Sequence, residues 1–237
     1  MTLARILLCN VLGALLVFSW YLPQLTLWTT VDDSIFWFFN QFITLRHPDW
    51  TMILALLNTR FFDAAAFGVM GILFVLAMKH DPSPKRGVKW TGIGVVMLLT
   101  AGLLALFTND GIQYGHASPT LFFAEAHHLT DIVSIPAKDS AHNSFPGDHG
   151  LMLMVFAGFM LKFASRRLAT LSVALVVLLS APRIMVGAHW FSDVYMGSLA
   201  IALIVLPWWL GTPLASTLTQ AFANRLQHII RRLHLHR

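Results

Sequence analysis

Residues 90–107 read WTGIGVVMLLTAGLLALF. These eighteen residues carry no ionisable side chain and approach the roughly twenty needed to cross a hydrocarbon core about 30 Å thick. Outward from this stretch lie five more of the same kind: Ile6–Leu22, Ala64–Met78, Leu151–Phe163, Leu168–Pro182 and Val194–Leu210. Several are shorter than twenty, so their ends must extend into polar flanks or the bilayer must thin. Only Ala164–Arg167 separates the fourth span from the fifth. Composition agrees: 57% of the 237 residues are hydrophobic and 11% charged, where a soluble domain carries about 25% charged residues. Such a chain cannot clothe a water-facing surface, which excludes soluble, disordered, collagen-like and coiled-coil classes. A net charge of +5 with eight Trp and eighteen Phe would suit a nucleic-acid binder. No such binder needs this much apolar surface, so no nucleic-acid partner is expected. The lone Cys9 cannot form an internal disulfide. The first stretch looks like a signal peptide, but Trp20, Tyr21 and Pro23 stand where a small-residue cleavage site belongs, so it is expected to be retained. The expectation is an all-α polytopic membrane helical bundle with six transmembrane helices, with residues 1–237 forming a single domain.

Charge placement orients this bundle. Threading six spans with the N-terminus inside places twelve of the sixteen Lys and Arg on one side with a single acid, Asp81, a net +11. The other side holds Arg46, Arg60, Lys138 and Arg183 with ten acids, a net −6. Lys- and Arg-rich loops stay cytoplasmic, so both termini are expected in the cytoplasm. On the outer side, residues 24–63 contain Asp32-Asp33-Ser34 followed by Ile35, Phe38, Phe39, Phe42 and Ile43 at helical spacing. This predicts a helix starting near Asp32, with its aromatic face in the headgroup layer. At the cytoplasmic end, 222–237 is a basic amphipathic stretch suited to anionic lipid. Arg60 and Asp63, three apart on a helix, are expected to pair structurally. No internal repeat, Walker loop or zinc-type Cys/His spacing is present.

Two polar clusters then fall on the outer side, although neither contributed to the threading. The first is Ser144-Phe145-Pro146-Gly147-Asp148-His149-Gly150, just before the fourth span; the second is Arg183-x5-His189-x3-Asp193, just before the sixth. His189 and Asp193 are four apart and would share a helix face. Asp193 can then accept from one imidazole nitrogen and leave the other as a nucleophile. Arg183 offers a planar fork to phosphate. Pro-Gly before a helix start presents free backbone N–H groups to an anion, and His149 beside it can protonate a leaving oxygen. Singly, each residue has a structural reading: a histidine in an aromatic belt, an N-capping Asp193, a snorkelling Arg183. Together, at these spacings, they form a phosphoryl-transfer site without metal.

Arg183, His189 and Asp193, with Pro146–His149, resemble the motifs of the type 2 phosphatidic acid phosphatase superfamily. Its usual second motif is PSGH and its first K-x6-R-P. The resemblance implies a helical core like that of the vanadium haloperoxidases, chemistry through a phosphohistidine, and no cofactor. It makes His189 the nucleophile, Asp193 its orienting partner, His149 the general acid and Arg183 a phosphate ligand. The chain departs from the pattern twice. The first-motif segment Gly111-Ile-Gln-Tyr-Gly-His116-Ala-Ser118-Pro119 lacks both the Lys and the Arg, and Gly147 and Asp148 replace Ser and Gly. Lys138, the only outer lysine, is the leading replacement cation, with His116 and His142 behind it, and Ser118 a further substrate contact. Asp148 either takes a proton or orients an acceptor, or is simply an acid favoured at a helix start.

These departures, with Ala117–Leu121, Pro136-x-Lys138-Asp139 and Gly187–Phe191, resemble one branch of that superfamily over nearly the whole chain. Its members pass a phosphate from undecaprenyl pyrophosphate to the 1-phosphate of lipid A at the periplasmic face of the bacterial inner membrane. The resemblance implies an enzyme with those two lipids as partners. A hydrolase of undecaprenyl pyrophosphate or phospholipid stays open as the alternative. A lipid transporter or scramblase is a remoter one, because transporters often show inverted repeats and midplane sites.

Overall fold

The computed structural model describes residues 1–22, 24–112 and 114–235. Pro23, Gln113 of the first-motif segment, and His236 and Arg237 at the end of the basic stretch lie outside the described residues. Among the described residues ten α-helices follow one another: α1 (Leu3–Tyr21), α2 (Leu27–Asn40), α3 (Pro48–Leu56), α4 (Arg60–His80), α5 (Arg86–Leu106), the short α6 (Pro119–Phe122), α7 (Asp148–Phe163), α8 (Arg166–Met185), α9 (Leu199–Gly211) and α10 (Pro213–Leu235). Segments Phe107–Gly111 and Asp193–Ser198 are π-helical, and no strand occurs among the described residues.

Five of the expected spans are helices long and apolar enough to cross a membrane; the last of them runs Asp193–Gly211. Their ends extend into polar flanks, so that 64–78 grows to Arg60–His80. The remaining span, α7, has 16 residues, about 24 Å of helix, and stands in the middle of the bundle. Leu151, Leu153, Val155, Phe156, Phe159 and Met160 are all buried there, and a helix apolar on every side is stable only when surrounded. The chain breaks at Ala164 and Ser165 before α8.

Small residues and one asparagine set how the bundle packs. Pro207 lies inside α9 and has no N–H to give the Leu203 carbonyl. Asn10 of α1 supplies the missing donor, its Nδ2 lying 3.1 Å from both Leu203 O and Ile204 O. Gly92 of α5 lets α10 approach, since a Cβ there would meet Thr219 O at 2.5 Å. The N-terminal amine donates to Gly211 O and Lys85 to Gln227, which gathers the starts of α1 and α5, the end of α9 and α10 at one end of the bundle. The other end carries both motif clusters.

The aromatic segment departs from its expected start. Asp32 and Asp33 lie within α2, which begins at Leu27. Asp32 is buried, and its carboxylate accepts hydrogen bonds from Ser192 N (2.8 Å) and Ser192 Oγ (2.6 Å). Burial pushes this carboxyl up to about 6, against the Ser192 hydrogen bonds that pull it down. Phe38 is exposed while Phe36 is buried, so α2 exposes only part of its aromatic surface.

Candidate active site

The second cluster is built by the end of one helix and the start of the next. α8 ends at Met185, and Gly187 turns the chain with φ +82°. A Cβ on Gly187 would stand 2.6 Å from Phe36 Cε2. The N–H groups of Ala188 and His189 return to the Arg183 carbonyl (3.0 and 3.2 Å), which brings His189 back over the helix that carries Arg183. His189 is therefore in the turn rather than on a helix, and the expected shared face with Asp193 does not form.

The two residues still meet, by another route. Asp193 Oδ2 accepts from Trp190 N at 2.8 Å, the reach-back contact of a capping box. This leaves it 3.7 Å from His189 Nδ1, beyond hydrogen-bond distance. The imidazole is held by the Ser144 carbonyl instead, 2.8 Å from Nδ1. Because a carbonyl only accepts, Nδ1 carries the proton and Nε2 keeps its lone pair. Asp193 Oδ1 meets His116 Nδ1 at 3.1 Å, and the His116 ring stacks on Trp190. Asp193 is fully buried between the two histidines.

The first cluster starts α7. Gly147 N donates to Asp193 O (3.1 Å), and His149 N to Asp148 Oδ1 (2.7 Å). Two of the N–H groups expected to await an anion are thus already taken. A Cβ on Gly147 or Gly150 would meet Val194 at 2.8 or 2.7 Å, so the glycines let α7 lie against the Asp193 segment. His149 is bracketed by carboxylates, with Nδ1 2.8 Å from Asp148 Oδ1 and Nε2 3.3 Å from Asp63 Oδ1.

A cavity of about 210 Å³ opens between the clusters and is lined by His189, His149, Asp148, Arg183, Lys138 and Asn109, among others. The structure thus brings five of the expected site residues, His189, His149, Asp148, Arg183 and Lys138, to one space. It places the rest elsewhere. His116 backs Asp193, Gly147 packs beneath α7 and His142 is exposed outside the cavity lining. Ser118 is fully buried, tying Ala141 N (2.9 Å) to the chain before α6. Arg183, also buried, donates Nη1 to the carbonyls of Asn58 (3.5 Å) and Lys138 (3.4 Å). Asp148, His149 and His189 also hold possible metal-ligand atoms, one per residue, within 4.8 Å of one another.

Sequence reasoning missed Asp63. It does not serve Arg60: its carboxylate meets Arg183 Nη2 at 2.6 Å and Lys138 Nζ at 2.8 Å. The available signal was an acid at the edge of an apolar span, where ionisable groups mark function. Chemically, the site offers an unprotonated imidazole nitrogen, a second imidazole able to move a proton, and two fixed cations.

Comparison with known proteins identifies a family and a relative. A family model described as PAP2 superfamily matches residues 50–215. The chain is 38% identical over 225 residues to the lipid A 1-diphosphate synthase of Escherichia coli (strain K12), covering 94% of each chain. No solved structure matches.

Proposed function

The chain belongs to the PAP2 superfamily, a membrane phosphatase or phosphotransferase, and from that membership we propose that it transfers the terminal phosphate of undecaprenyl pyrophosphate to the 1-phosphate of lipid A. The observation that carries the reading is the Ser144 carbonyl on His189 Nδ1, which turns a nucleophilic Nε2 toward a cavity shared with His149, Arg183 and Lys138. The likeness to the E. coli synthase over nearly the whole chain favours a lipid-borne phosphate as acceptor.

In the first step the Nε2 lone pair attacks the terminal phosphorus. The P–O bond to the bridging oxygen breaks, and its electron pair leaves on undecaprenyl phosphate, which His149 protonates. In the second step an oxygen of the acceptor phosphate attacks the phosphohistidine while giving its proton to His149, and the N–P electrons return to His189. Arg183 and Lys138 hold the transferring group, Lys138 standing in for the absent first-motif cations. Asp193 fixes the turn that carries His189, and Asp148 orients His149. Residues 1–237 act as one unit in the bacterial inner membrane, with both termini cytoplasmic and the site periplasmic, as the sorting of Lys and Arg supports.

The test uses purified protein and undecaprenyl pyrophosphate labelled in its terminal phosphate, with and without lipid A. Label in a lipid A diphosphate is the expected result. Label released only as inorganic phosphate in both arms would assign a hydrolase instead.

A further inference from the structure

The reaction above leaves one carboxylate without a role, although it touches three of the basic groups assigned to the phosphate: Arg183, Lys138 and His149. Asp63 Oδ1 lies 2.6 Å from Arg183 Nη2 and 3.3 Å from His149 Nε2, while Oδ2 lies 2.8 Å from Lys138 Nζ. The scaffold holds the Arg183 guanidinium and the Lys138 backbone by other atoms. Arg183 Nη1 donates to the Asn58 and Lys138 carbonyls, and Lys138 N donates to Asn58 O at 2.9 Å. A carboxylate that only braced the cations would leave their side-chain donors available to the ligand. Asp63 takes a donor from Arg183 and another from Lys138, and its Oδ1 stands against His149 Nε2.

We propose that Asp63 is a resident anion in the phosphate seat, which the substrate's phosphate must displace. This deepens the phosphoryl-transfer reading and rests on it. The incoming phosphate exchanges one set of charge-assisted hydrogen bonds for another. It also meets a like charge that α4 keeps nearby, so its ground-state binding is weakened. Tight ground-state binding of substrate adds nothing to the rate of the chemical step. A competing carboxylate therefore lowers affinity without slowing chemistry, and re-closes the seat when product departs.

The experiment titrates inorganic phosphate into the detergent-solubilised full chain by calorimetry, with wild type, D63N and D63E. Removing a like charge at this range should tighten phosphate binding in D63N about tenfold or more, while D63E stays near wild type. With the pyrophosphate donor, KM should fall in D63N and kcat should not rise. A residue that merely positioned the cations would give the opposite sign. Unchanged or weaker phosphate binding in a D63N protein that melts like wild type overturns the proposal. If D63N does not fold, D63S removes the same charge and is judged by the same result. Phosphate binding requires no acceptor lipid, so a failure of the lipid A reading leaves this measurement intact.

Discussion

Gly187 has a backbone conformation and a neighbour that together exclude any other residue. Its φ of +82° is in the left-handed region, and a Cβ would lie 2.6 Å from Phe36 and 2.8 Å from Thr120. Gly187→Ala should destabilise the protein by at least about 1–3 kcal/mol from the backbone alone. Because the same turn places His189, the melting temperature and transfer activity should fall together; a stable G187A enzyme with normal activity would contradict the local account. Single residues also mark where sequence is readable. His189, His149 and Arg183 were found because local spacing carries their motifs. Asp63 was assigned to Arg60 because a three-residue spacing is visible in sequence, whereas a partner 120 residues away is not. The Ser144 carbonyl had no signature at all, since every residue has one.

Among the elements, α2 shows how a local signal is overridden. Asp32-Asp33-Ser34 looks like a helix start, but the helix begins at Leu27 and delivers Asp32 to the backbone and hydroxyl of Ser192. That junction has a pH signature. With its folded value raised from 3.8 to about 6, the protonated carboxyl contributes stability that is fully present below 3.8 and lost as pH rises through about 6. Asp32→Asn keeps an acceptor and a donor for Ser192 without the charge. The melting temperature of D32N minus that of wild type should therefore grow between about pH 4 and pH 7, and a difference independent of pH would refute it. The spanning helices were easier to read, because apolar runs of their length have few other uses. The His189–Asp193 pair was harder: the four-residue spacing suggested one helix, and the positive-φ glycine upstream put the histidine in a turn.

For the molecule as a whole, hydropathy makes the helical bundle legible. All six apolar stretches are helical in the structure, five of them long and apolar enough to cross a membrane, and both motif clusters line one cavity. Less of segment 114–147 was legible. It is mostly irregular, and it brings Lys138, Asn143 and Ser144 to the site through backbone contacts such as Ser144 N to His116 O (2.7 Å) and Lys138 N to Asn58 O. Such contacts depend on the path of the chain rather than on residue type. Those paths converge on one imidazole nitrogen, so the most direct test traps it. Purified protein is mixed with donor labelled in its terminal phosphate, quenched in alkali without acceptor, and analysed for protein-bound label. The account predicts acid-labile, alkali-stable phosphate on His189 in wild type and none in a folded H189A variant, which should also lose transfer. Label that persists in H189A, or efficient transfer by that variant, would contradict it.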